Sequence, residues 1–154
     1  FRLALRITLI REEAEDIVQD TLIKVWNRRE SWDTIDNIEA FSLTICRNMA
    51  LDRLRLHDNQ NTSLDDNVGG ERLDTTSNPF ERTVQREKVE IVRNLIDSLP
   101  EKQRSCMQLR DIEGKTYKEI AAVLGITEEQ VKVNIFRARQ TIKQQFIQYD
   151  NYGL

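Results

Sequence analysis

The chain has 154 residues, of which 32% are charged and only seven are proline or glycine; that composition favours helices and allows one medium or two small domains. No apolar run approaches the ~18 residues that cross a bilayer, no secretory leader pattern is present, and neither membrane insertion nor a cofactor is expected. Cys46 and Cys106 lack Cys-x-x-Cys spacing and His57 is the single histidine, which argues against a zinc site or a disulfide framework. Ordinary core thiols in a reducing cytoplasm are the expectation.

The N-terminal pattern is helical from the start, with Leu3, Ile7 and Ile10 in phase. It begins at Phe1 without a methionine, so further sequence is expected to precede it. A helix is predicted from about Glu12 to Arg29. Ala14, Ile17, Val18, Thr21, Leu22 and Val25 form its buried side, with Trp26 closing the bundle at the edge. Asp16, Gln19, Asp20, Ile23 and Asn27 lie opposite. An isoleucine inside an acidic and amide patch suits a protein-docking surface, although a lone exposed isoleucine is also common. The loop Glu30–Asn37 carries Trp32, read as a core plug or as an aromatic that stacks on a base.

The next helix, about Ile38 to Leu56, is apolar on two sides: Ile38, Phe41, Ile45 and Met49 on one, Leu43, Ala50 and Leu54 on the other. It is expected to be the most buried helix of the bundle. Its remaining stripe is Thr44, Asn48, Leu51 and Arg55, continued by Arg47 and Arg53. Single-stranded DNA could lie there, but on periodicity alone capping and solvation account for the stripe better. From His57 to about Thr83, polar residues and glycine dominate without a period, as in a linker.

Net charge is −3 and unevenly placed. Nine basic and ten acidic residues fall in 1–56, two and six in 57–84, and twelve and ten in 85–154. The C-terminal part is therefore only mildly basic, which predicts weak binding to DNA by that part alone.

Thr116–Lys143 reads as two helices joined by a tight turn. Thr116 with Glu119, and Thr127 with Gln130, each have the spacing of a capping box. Gly125 can adopt the left-handed turn between them. This is a helix-turn-helix pattern. On its second helix, Val131, Ile135, Ala138 and Ile142 make the inward stripe. Glu129, Val133, Phe136, Arg137 and Gln140 point away, flanked by Lys132 and Arg139. Apolar side chains there can meet thymine methyls, and basic ones can meet guanine edges or phosphates. The alternative is that Phe136 packs on a neighbouring helix and the charges are only solvated.

The run EEAEDIVQDTLIKVWNRRESW, followed by NIEAFSLTICRNMALDRLR, resembles region two of the extracytoplasmic-function (ECF) type of RNA polymerase sigma factor. DSLPEKQRSCMQLRDIEGKTYKEIAAVLGITEEQVKVNIFRARQTIK resembles region four. The blocks occur in the family's order and cover nearly the whole chain except the linker and the last ten residues. The resemblance implies an all-α fold of two small helical domains, a three-helix-type bundle and a helix-turn-helix domain, joined by a flexible acidic linker. Region two would span 1–56, the linker 57–84, region four 85–148 and a tail 149–154.

The resemblance also implies roles. Asp16, Gln19 and Asp20, around Ile23, would dock on the clamp helices of core polymerase. Leu95, Leu99 and Met107 would cradle the polymerase flap. Trp32 lies in a loop that would capture a flipped −10 base, Asn48 would assist opening, and Arg47, Arg53 and Arg55 would hold strand phosphates. Gln130, Lys132, Val133, Phe136 and Arg137 would face the −35 element. Lys132 and Val133 depart from the Arg and Ser that many relatives carry, which leaves the −35 sequence open. Thr34–Asn37 depart from the Gly- and Arg-containing forms of the loop, which leaves the −10 preference open. The expected protein is a bacterial, cytoplasmic, non-enzymatic sigma factor. It would be monomeric when free and held by an anti-sigma factor. A helix-turn-helix regulator acting without core polymerase, and a helical protein-binding adaptor, are the alternatives.

Overall fold

A computed structural model describes residues 1–60 and 81–152, the side chains at 60, 81–85, 150 and 152 excepted. Residues 61–80, most of the expected linker, lie outside the described residues, as do the last two residues of the tail. The elements are α1 (Arg2–Thr8), α2 (Arg11–Asn27), a 3-10 segment (Arg29–Thr34), α3 (Ile38–Gln60), α4 (Glu81–Asp97), α5 (Glu101–Met107), a π segment (Gln108–Ile112), α6 (Tyr117–Leu124) and α7 (Glu128–Tyr152).

The N-terminal part is a three-helix arrangement. Leu9 closes α1 in the left-handed region (φ 61°), its N–H donating to the Leu5 carbonyl, and the chain turns into α2. Leu3, Ala4 and Ile7 of α1 meet Ala14 and Ile17 of α2 and Cys46 and Ala50 of α3 in the core. The buried stripe of α2 is narrower than its sequence suggests: Ala14, Ile17, Thr21 and Val25, at helical three- and four-residue steps. Leu22 and Trp26 stand one position further round. They are 64% and 58% exposed rather than buried. Trp26 does not close the bundle; it meets Trp32 edge-on, with ring centroids 6.1 Å apart. Trp32 donates its indole N–H to the Val25 carbonyl at 3.1 Å, capping the end of α2.

The C-terminal part is built on α5, α6 and α7. Thr116 and Glu119 exchange side-chain and backbone hydrogen bonds at 3.1 and 2.9 Å, and Thr127 and Gln130 do so at 3.1 and 3.0 Å. Both predicted capping boxes are therefore formed. Gly125 adopts φ 64°, a conformation that costs a β-carbon-bearing residue strain. The helix-turn-helix angle is thus set locally, and Ile120, Val123 and Leu124 of α6 seal it against Val131 and Ile135 of α7.

The two parts share one core. Cys106, Leu109, Ile120, Val123 and Leu124 from the C-terminal part join the cluster formed by α1, α2 and α3. The double-sided apolar pattern of α3 has a simple cause: α1 and α2 cover one side and α6 another. Burial along α3 is still incomplete: among its described side chains, only Cys46, Arg47 and Ala50 are buried. The helix also continues past Leu56 to Gln60, where the His57 ring meets the Glu13 carboxylate.

Polar contacts fix the register between the parts. Arg6 Nη1 reaches Asp97 Oδ1 at 2.6 Å and its Nε donates to Gln108 Oε1 at 3.2 Å. Gln108, 1% exposed, passes the contact on by donating to Glu113 at 3.0 Å. Arg2 lies 4.0 Å from Glu113, Arg47 3.8 Å from Glu101, and Lys115 2.5 Å from Glu39. Exposed ion pairs contribute about 0–1 kcal/mol each, and the more buried ones lose much of their attraction to desolvation. Apolar burial therefore holds the parts together, and the charges select one arrangement.

Candidate nucleic-acid interface

The outward face of α7 is largely open to solvent. Val131, Ile135 and Ala138 are buried beneath it, while Gln130, Lys132, Val133, Phe136 and Arg137 are all exposed. Phe136 is 64% exposed, so it does not pack on a neighbouring helix in this arrangement. An exposed aromatic beside an exposed valine is costly in water unless a partner covers it. Gln130 is partly committed: its side-chain oxygen accepts the Thr127 N–H, leaving the amide nitrogen as a donor. Lys132 leans over the Tyr117 ring, 5.9 Å from its centroid, and lies 3.8 Å from Glu129.

Arg139, a flank of the same helix, has another task. Its Nε and Nη2 engage both carboxylate oxygens of Asp111, and this hydrogen bonding raises its pKa. The fork clamps α7 to the π segment and fixes its rotation. Opposite charges in a surface pattern gave no sign of this, because the partner is 28 residues away.

The second surface lies on α2, α3 and the 3-10 segment. Asn48 and Arg55 are exposed and Arg53 half-exposed, with Arg55 Nη1 3.3 Å from Asp52. Trp32 is half-buried against Trp26. A shallow cavity of about 420 Å³ between α2 and α3 is lined by Lys24, Asn27, Arg28, Asn48, Met49 and Asp52, among others. It joins amide groups and two cations to an apolar floor. Lys24 and Arg28 escaped sequence reasoning. Their four-residue spacing at the end of α2 was the available signal.

Arg47 does not lie on that exposed stripe. Its side chain is 11% exposed and faces Glu101 of α5, and its Nε has no hydrogen-bond partner. The cause is its position on α3 between the buried Cys46 and Ala50, a side that the C-terminal part covers.

The third surface is acidic. Asp16, Gln19, Asp20 and Ile23 are exposed together on α2, and exposed Leu22 and Trp26 enlarge the apolar area around Ile23. On the C-terminal part, Leu95 and Met107 are half-buried, whereas Leu99 is 4% exposed and presents no docking area.

Several groups titrate away from their ordinary values. Burial, followed by the nearby Glu101 carboxylate, pushes the Cys106 thiol up to about 11, and burial raises Cys46 too. Both stay protonated near neutral pH, unlike reactive thiols. Burial lowers the pKa of Arg104, opposed chiefly by Asp97. The Thr116 backbone N–H lowers that of Glu119. Among the described residues, no group of three or more His, Cys, Asp or Glu side chains could hold a metal ion, and no helix is long and apolar enough to cross a membrane.

Residues 1–60 match the family Sigma-70 region 2, and residues 89–142 match Sigma-70, region 4. The chain is 27% identical to the ECF RNA polymerase sigma factor SigM of Bacillus subtilis over 143 residues, covering 93% of the chain and 85% of SigM. It is 30% identical over 137 residues to the ECF RNA polymerase sigma-E factor of Escherichia coli K12, covering 84% and 72%. Its fold is similar to that of the sigma factor RpoE from Bartonella quintana, solved with the anti-sigma factor NepR. The TM-score is 0.73 at 24% identity, covering 96% of this chain and 89% of the other.

Proposed function

The chain belongs to the extracytoplasmic-function family of RNA polymerase sigma factors and is an alternative sigma factor for transcription initiation; we propose that it divides that work among three surfaces. The exposed face of α7 reads the −35 duplex. Val133 and Phe136 contact thymine methyls or the sugar edge, and Arg137 contacts a guanine or a phosphate. Lys132, a point charge already leaning on Tyr117, serves phosphate rather than bidentate base contact.

Trp32, Asn48, Arg53 and Arg55 engage the −10 strand once it is separated. Extruding a base costs a few kcal/mol, which stacking and amide contacts offset on capture. No nucleotide hydrolysis enters the mechanism. Asp16, Gln19, Asp20 and Ile23 dock on the clamp helices of core polymerase, with Leu95 and Met107 toward the flap. As the Bartonella protein does in its solved complex, the chain takes an anti-sigma factor as a partner. It works in the cytoplasm, as a monomer when free. The acidic segment between α3 and α4 connects the two proposed DNA-binding parts in sequence.

The observation that carries this reading is the outward face of α7, apolar and basic, on a helix whose entry, turn and rotation are all fixed. The experiment is transcription in vitro with purified core polymerase and a promoter library. Arg137→Ala is expected to reduce −35-dependent initiation roughly five- to hundredfold, the range of one good base contact. Core binding should be unchanged. Equal loss of both would assign α7 to folding or docking, and failure of the parent chain to bind core or initiate anywhere would remove the sigma reading.

A further inference from the structure

Gln130, the third residue of α7, closes the second capping box. Its backbone N–H donates to Thr127 Oγ1 at 3.1 Å, and its side-chain Oε1 accepts the Thr127 N–H at 3.0 Å. A backbone N–H can only donate, so the amide atom turned onto the chain is the oxygen and the atom left over is the nitrogen. The side chain is exposed, and among the described residues nothing accepts from its Nε2.

Gln130 shares a stripe with Val133 and Arg137, three and seven residues further on, and all three are exposed. It is the member of that stripe nearest the start of the helix, and in a helix-turn-helix the first residues of the second helix reach base edges. A glutamine with a free amide reads adenine, presenting its oxygen to the N6 amino group and its nitrogen to N7 together. That pairing is closed to Gln130. Turning its oxygen out to a base would leave the Thr127 N–H unpaired and undo half of the box that starts the helix. What the groove meets is a donor.

We propose that Gln130 is a donor-only specificity residue for the −35 duplex: it selects a keto base, guanine before thymine, at the position that it faces. Guanine offers two acceptors in the major groove, N7 and O6, and thymine offers O4. Cytosine offers only its N4 amino donors, and adenine sets its N6 donors beside N7. This rests on the reading that the outward face of α7 contacts the −35 element. The hydrogen bond that begins α7 thus decides which amide atom faces the DNA.

The test is initiation by core polymerase loaded with the full-length chain on a promoter library randomised through the −35 element, with the templates of the transcripts sequenced. Gln130→Glu keeps the cap, because a glutamate three residues after Thr127 completes the same box, and it replaces the donor by an acceptor. The parent is expected to favour keto over amino bases roughly three- to tenfold at one position, the range of one hydrogen bond. Gln130→Glu is expected to reverse that preference toward cytosine or adenine at that position alone, and Gln130→Ala to flatten it. The added carboxylate repels every phosphate and lowers initiation on all sequences alike, so its charge cannot by itself switch one position. A parent preference for adenine at the position that Gln130→Ala flattens, or preferences that neither substitution changes, overturns the proposal. Arg137→Ala separates the two readings. If neither it nor the Gln130 variants alter selection in the −35 element, the −35 reading of α7 falls; if Arg137→Ala alters selection and the Gln130 variants do not, only this proposal falls.

Discussion

The two surfaces proposed to face DNA differ in readiness. On α7, every residue facing outward is exposed, and the helix is fixed beneath by a dry stripe, two capping boxes and the Arg139–Asp111 fork. On α3, the polar stripe is split: Asn48 and Arg55 are exposed, while Arg47 is turned into the junction. The difference teaches that one proposed contact face can be complete in the compact chain while the other is partly covered. What separates them is how far each depends on the junction: α7 is positioned by neighbours from its own half, whereas α3 is shared.

The strongest way to break the comparison is to weaken that junction. Ile7 on α1 is fully buried in the shared cluster. Ile7→Ala is expected to cost about 2–5 kcal/mol. If the parts are one cooperative unit, amide protection in α6 falls together with protection in α2, and calorimetry shows one shifted transition. Two separate transitions, with α6 unaffected, would show that the halves fold independently and that the junction is only a contact.

A smaller effect tests the acidic face. Asp20→Arg is expected to weaken core-polymerase binding roughly tenfold by placing like charges together, with thermal stability unchanged because the side chain is exposed. Unaltered affinity would remove this face from the polymerase interface. The smallest effect sharpens the claim that the −35 head is built locally. Thr116→Ala removes the first capping box and should cost about 1 kcal/mol, seen as faster amide exchange at Glu119 and Ile120 and little elsewhere.

The same cap gives a pH dependence. The Thr116 N–H holds the Glu119 carboxyl below its ordinary value, so its contribution is present above the unfolded-state pKa. It is lost as pH falls through the depressed folded-state value. Acid should therefore loosen the start of α6 before the fold as a whole, and Glu119→Gln should abolish that local pH response. Exchange at the start of α6 that is flat with pH in the parent would contradict the assignment.

What was legible in the sequence follows the same division. The capping boxes, Gly125 and the inward stripe of α7 depend on residues three or four apart, and one-dimensional spacing reports them faithfully. The acidic face of α2 was legible for the same reason. Helical phase put Leu22 on the buried side and Trp26 at its edge, although the stripe on α2 has room for only one residue per turn. The junction was invisible. Arg6 and Asp97 are separated by 91 residues, and Arg6 and Gln108 by 102, so no period links them. Arg47 looked like part of a solvated basic stripe because nothing local says that another helix covers it. The double-sided apolar pattern of α3 was the single clue, and it was read as bundle depth rather than as a second neighbour.

The buried cysteines give that junction a clock. Cys46 sits in region two and Cys106 in region four, and both thiols face the common core, protonated and shielded. A thiol reagent can attack only during an excursion that parts the halves or unfolds one of them. Labelling rates of the native protein therefore count opening events, with no probe introduced. A partner that holds the two parts together would slow the count.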